Sequence, residues 1–307
     1  MKISNKVLGV AAAALLTVGV TGSAHANLYF QDWTLDLSSL GGSTISGISE
    51  INYNGNFQAI LSSDTGPVGP SVGDKYTVNG LLASNGFDTT TTLLPAGING
   101  LAGSTGTDGF DLTFVFSVDV KLTGATDLGG GNTLITWDHV TGGQLSVYFD
   151  DADTGGTIVS PGNDVAGNYT DGTLIATFDV LNGGFGTFQT ITNGGSDVAY
   201  FQASYLKPGI WFSDAGGDLS NLLGDNGDLL TIAKADGTLD ATPFGGGLGS
   251  YSPTEFGGNC SNNLGLFCGS EEGSAQIGAI PEPATLALFG TGILGLGALG
   301  RRRRRRA

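Results

Sequence analysis

The sequence predicts an all-β protein: a sandwich or jelly-roll-like domain set between an N-terminal signal peptide and a single C-terminal transmembrane helix. Three observations carry this. Apolar residues recur with a period of two, rather than 3.6, from about Leu28 to Leu248. Asn-Gly and Asp-Gly dipeptides punctuate these runs, and such pairs favour the left-handed positions of tight hairpin turns. Two uncharged apolar stretches occupy the extreme ends of the chain.

Residues 1–26 have the make-up of a secretory signal. Lys2 and Lys6 supply the charged end, Val7 to Val20 an apolar core of 14 residues, and Ala24-His25-Ala26 a cleavage site that leaves Asn27 as the mature N-terminus. That core is too short for a comfortable membrane crossing.

Residues 27–250 form the body, long enough for one large all-β domain or two small ones. The clearest strand is Asp111 to Leu122. Leu112, Phe114, Phe116, Val118, Val120 and Leu122 fall on one face, and Asp111, Thr113, Val115, Ser117, Asp119 and Lys121 on the other. The pattern predicts one buried and one wet face. Leu174 to Val180, Leu145 to Phe149 and Val198 to Leu206 read the same way. Hairpin turns are expected at Asn54-Gly55, Asn79-Gly80, Asn85-Gly86, Asp108-Gly109, Asp171-Gly172 and Asp236-Gly237. Several short strands separated by such turns indicate a sandwich or jelly roll. Ser220 to Ala235 is the one helix candidate, interrupted by Gly224 and Gly227.

Residues 251–279 are rich in Gly, Asn and Ser and read as a stalk. They hold the only two cysteines, Cys260 and Cys268, which in an exported protein are expected to pair. A loop that short contributes roughly 2–3 kcal/mol in the chain-entropy account.

Residues 280–307 form the tail. Pro281-Glu282-Pro283 precedes an apolar run of 17 residues, Ala284 to Gly300, followed by Arg301, Arg302, Arg303, Arg304, Arg305 and Arg306. As a helix the run spans roughly 25 Å, the short end of a membrane crossing. The prolines sit before it and leave its interior intact. Six arginines are costly to pull through a bilayer and stay on the cytoplasmic side, where they can touch anionic headgroups. Gly290-Thr-Gly292-Ile-Leu-Gly295 matches a dinucleotide fingerprint by letter only; no acidic residue follows at the required distance.

This tail resembles the PEP-CTERM sorting signal of Gram-negative bacteria, with Pro281, Glu282 and Pro283 as the box. The resemblance covers about a tenth of the chain. It implies processing by an exosortase, an integral-membrane cysteine protease, from an inner-membrane-anchored precursor. It further implies export to the cell surface or extracellular matrix, in company with exopolysaccharide, biofilm or floc. Residues 142–151 and 171–178 look faintly like the flocculation-associated members. A plain C-terminal anchor would keep the topology without the protease.

Charge narrows the partners. Residues 27–280 hold four lysines against 27 acids, a net of about −23. Such a surface repels nucleic acid and anionic membranes, suits a secreted protein, and attracts divalent cations. Asp150, Asp151 and Asp153 form the best acidic loop, a calcium candidate, although Gly162 stands where an EF-hand needs its Glu.

Other chemistry finds little support. A Ser-His-Asp triad has only His139 to use once His25 leaves with the signal; the alternative is a turn or surface histidine. A glycosidase needs two placed carboxylates, and no motif marks a pair. Tyr148, Tyr200 and Trp211 are candidates for a sugar platform. The expected function is therefore an exported surface or matrix protein without catalysis, with a secreted carbohydrate-binding module or polysaccharide hydrolase as the alternative.

Overall fold

Period-two runs become long antiparallel strands because each edge finds a neighbour whose apolar face turns the same way. The computed structural model describes residues 28–30, 32–64, 71–89, 110–151, 166–192, 194–223, 231–241 and 266–279. The strands are β1 (Leu28–Tyr29), β2 (Trp33–Asp36), β3 (Thr44–Ser63), β4 (Lys75–Thr89), β5 (Phe110–Gly129) and β6 (Asn132–Asp151), then β7 (Thr173–Val180), β8 (Phe185–Gln189), β9 (Gly194–Leu206), β10 (Trp211–Phe212), β11 (Thr231–Ala241) and β12 (Leu266–Ala279). Short 3-10 turns at Ser38–Leu40, Ala166–Tyr169 and Leu219–Leu222 are the helical pieces among the described residues. The all-β expectation holds.

The connectivity differs from a jelly roll. β3, β4, β5, β6, β7, β9, β11 and β12 pair in that order, and β12 pairs back onto β3. Eight strands thus form a closed antiparallel circuit, a barrel built as a meander rather than from Greek keys. Long strands allow this by changing partner along one edge. β3 meets β2 as far as Ile48 and β12 from Ile51 onward. β6 meets β8 over Leu134 to Asp138 and β7 over Gln144 to Phe149.

The core fills the inside of the circuit. Phe114, Val118, Val120 and Leu122 of β5 point inward, against Leu145, Val147, Phe178 and Phe201. Trp33 and Trp211 stack at 5.7 Å, both essentially unexposed. Outward positions such as Ser117, Lys121, Thr123 and Ser204 are exposed and polar. A lipid-facing barrel needs the inverse arrangement.

Four expectations are corrected. Asn54-Gly55, Asn79-Gly80, Asn85-Gly86 and Asp236-Gly237 lie inside β3, β4 and β11, not at turns. At Gly80 the glycine serves close approach: an added Cβ would meet the Phe116 ring at 2.0 Å. The β5–β6 turn instead uses Gly129, Gly130 and Gly131, all with positive φ. Secondly, Asp111 and Thr113, expected on a wet face, are 1% exposed. The Ala166–Tyr169 turn packs outside Thr113, whose Oγ1 donates to the Tyr169 carbonyl at 2.7 Å.

The third correction concerns Ser220 to Ala235, whose described residues form no α-helix. They divide between a 3-10 turn and β11, whose residues 232–240 pair with β9 and 231–241 with β12. Last, the stalk expected at 251–279 gives way from Leu266 to a strand paired on both edges. Glycine and serine lowered its apparent β character, but β3 and β11 present free edges that only a strand can satisfy. Phe30 N donates to the Ile277 carbonyl at 2.8 Å, so the described chain enters and leaves the barrel at one end. No helix among the described residues is long and apolar enough to cross a membrane.

The Phe116–Gly80 contact yields a test. Gly80→Ala should lower stability by roughly 1–3 kcal/mol through overpacking, read as a reduced urea midpoint at unchanged slope. Gly86→Ala, whose Cβ would have its nearest neighbour at 4.0 Å, should leave the midpoint close to wild type.

Candidate functional site

Inward positions of four strands bring a polar cluster into the apolar interior. β6 turns Ile135, Trp137 and His139 inward by simple alternation, and β9 does the same with Asp197, Ala199 and Phe201. β8 lies between them, with Gly186 opposite both Trp137 and Asp197. A Cβ on Gly186 would meet the Trp137 ring at 2.1 Å and Asp197 Oδ1 at 2.5 Å, so glycine is what lets the two touch. Trp137 Nε1 donates to Asp197 Oδ1 at 2.9 Å. His139 Nε2 lies 3.0 Å from Oδ1 and 2.9 Å from Oδ2 of the same carboxylate. A carboxylate only accepts, so Nε2 carries the proton.

β12 and β3 contribute the other half. Glu271 stands in register with Gly55, and Gly273 with Tyr53. Glu271 is buried, and the Tyr53 hydroxyl donates to its Oε1 at 3.4 Å. Burial pushes the Glu271 carboxyl up to about 8; the Asp197 carboxylate adds to the rise and the Tyr53 hydroxyl opposes it. Phe57 and Phe188, with Val78, Phe116 and Ile135 beside them, pack a second apolar group against Trp137.

His139 is therefore neither a turn nor a surface histidine. It is 4% exposed, inside β6, and paired with an aspartate through Nε2. A triad aspartate holds Nδ1 and leaves Nε2 to the nucleophile; here Nε2 is taken by Asp197 and Nδ1 is buried without a hydrogen-bond partner, so the pair is not set up for a serine relay.

The remaining expected residues scatter. Trp211 lies in the core, its Nε1 donating to the Ile175 carbonyl at 2.9 Å, so it offers no platform. Tyr148 and Tyr200 are half-buried on β6 and β9. Asp150 and Asp151 end β6 rather than opening a turn, and Asp150 is buried opposite Asp111. Asp153 lies outside the described residues. No group of three or more His, Cys, Asp or Glu among the described residues is placed to hold a metal. Cys268 is disulfide-bonded within β12; Cys260 lies outside the described residues, as do Ala24, Ala26, Pro281, Glu282, Pro283, Gly290, Gly292, Gly295 and Arg301 to Arg306.

Asp197, Glu271, Tyr53 and Trp137 were not singled out by sequence reasoning. The available signal was phase: Asp197 keeps step with Ala199 and Phe201, and Glu271 with Ala275 and Ile277, so each is polar at an inward position.

The family model for the PEP-CTERM protein-sorting motif matches residues 279–306. This is a PEP-CTERM sorting domain-containing protein. No curated protein and no solved structure matches the chain. The motif implies exosortase-dependent sorting of an exported protein, processed at the membrane. In this PEP-CTERM protein the motif starts at Ala279, the last residue of β12.

Asp197 should behave as the keystone of the cluster. Asp197→Ala strands the Trp137 and His139 donors and should cost roughly 2–4 kcal/mol. Trp137→Phe, which removes one donor and leaves the carboxylate its histidine, should cost about 1 kcal/mol. Denaturant midpoints of the two variants check the order.

Proposed function

We propose that this PEP-CTERM protein is a surface or extracellular-matrix component associated with exopolysaccharide, biofilm or floc, and that its barrel binds or scaffolds rather than catalyses. The single observation behind this is the sorting motif at 279–306 placed directly after a polar-faced barrel. A body with about 23 net negative charges stays dispersed in water and away from anionic membranes. Removal of the signal peptide and exosortase processing of the tail would release the barrel whole, because the box lies outside β12.

The hydrolase alternative has one observation in its favour. Asp197 and Glu271 are carboxyl groups whose surroundings differ, the arrangement from which an acid and a base are assigned. Against it, Glu271 is buried between paired strands, where a polymer cannot reach.

Mass spectrometry of the secreted protein should find residues 1–26 missing and a new C-terminus near Pro281. Extracellular protein with its arginine tail intact would overturn the exosortase route. Deletion of the gene should reduce cell aggregation. Glycan turnover by the purified protein, abolished by Glu271→Gln or Asp197→Asn, would replace the matrix reading with the hydrolase.

A further inference from the structure

Glu271 is a carboxyl group in the interior of the barrel that the sorting function does not use. It lies on β12, the strand that closes the circuit, paired through β3 on one edge and β11 on the other. We propose that Glu271, held inside the barrel near Asp197, is a proton-binding site that sets how firmly β12 is held, so that loss of its proton loosens the seam beside the sorting motif.

The groups around it decide the sign. From β3 comes the Tyr53 hydroxyl, a donor to Glu271 Oε1. From β9 comes Asp197, whose carboxylate is tied to Trp137 and His139 of β6. On β11 the residue in register with Glu271 is Leu239, while the acids Asp236 and Asp240 stand in register with Ser274 and Ser270. Among the described side chains no lysine or arginine acts on Glu271. One hydroxyl donor against a second carboxylate cannot compensate a buried charge. The neutral acid is therefore the form that fits, in line with the rise of its titration to about 8.

The linkage follows. Folded Glu271 keeps its proton up to about pH 8, whereas the exposed group loses it near the ordinary 4.5. Between those values the open form binds fewer protons, so closure weakens as pH rises. Below 4.5 the contribution is fully present; above about 8 the loss is complete and the curve levels. A one-proton linkage changes the opening constant by about tenfold per pH unit.

Hydrogen exchange of the mature protein, corrected for intrinsic rates and read by mass spectrometry from pH 5 to 9, tests this. Protection of residues 266–279 and of their partners at 51–60 and 231–241 should fall toward tenfold per unit and level above pH 8. Glu271→Gln should flatten the profile in those segments. Asp197→Asn, which removes the neighbouring negative charge, should move the levelling point to lower pH. Tyr53→Phe, which removes the donor, should move it higher. Should Glu271→Gln fail to fold, the last two shifts decide on their own. An unchanged pH profile in Glu271→Gln, no shift in Asp197→Asn, or a loss of protection spread evenly over β4 to β6 would each overturn the proposal.

Discussion

Pairing of β12 with β3 is the contact on which the rest of this structure depends. Without it the sheet would end in two long edges, β3 from Ile51 to Ile60 on one side and β12 on the other. Unpaired edges are aggregation templates, and closure is the arrangement that removes them. It also gives the interior a complete wall. Trp33, Trp211, Phe178 and the β5 apolar row are buried because the circuit surrounds them. Closure joins residues more than 200 positions apart, as with Tyr53 and Glu271. Contacts of that separation are entropically slow to form, and here they involve the last described strand of the chain.

That position ties architecture to sorting. The motif starts where β12 stops, so the strand that completes the barrel also leads into the processed tail. Cys268 lies in the same strand and is covalently bonded, and Glu271 adds a buried carboxyl. One strand thus carries the closing hydrogen bonds, a crosslink and a titratable group.

The polar cluster illustrates how a barrel tolerates buried charge. Asp197 is satisfied by an indole and an imidazole, charge-assisted bonds stronger than neutral ones. Glu271, with one long bond from Tyr53, is better off neutral. For Glu271 burial is the leading cause, the neighbouring Asp197 carboxylate adds to it, and the Tyr53 hydroxyl opposes both.

Address and class were legible in the sequence by itself. The Pro-Glu-Pro box, apolar run and arginines are local, contiguous signals. The alternation along Asp111 to Leu122 is likewise a property of one strand, and β5 contains it. What only the tertiary structure decided was partnership. Whether Gly80 marks a turn or makes room for Phe116 depends on which strand lies alongside. Whether Thr113 is wet depends on a 3-10 turn more than 50 residues away. The segment from Leu266 looked like a stalk because glycine and serine carry little β signal of their own. It is a strand because two open edges needed one between them, and that demand is written in β3 and β11 rather than in the segment itself. The pairing of His139 with Asp197 arises the same way, from two inward phases meeting across a glycine, which no reading of either strand alone could reveal.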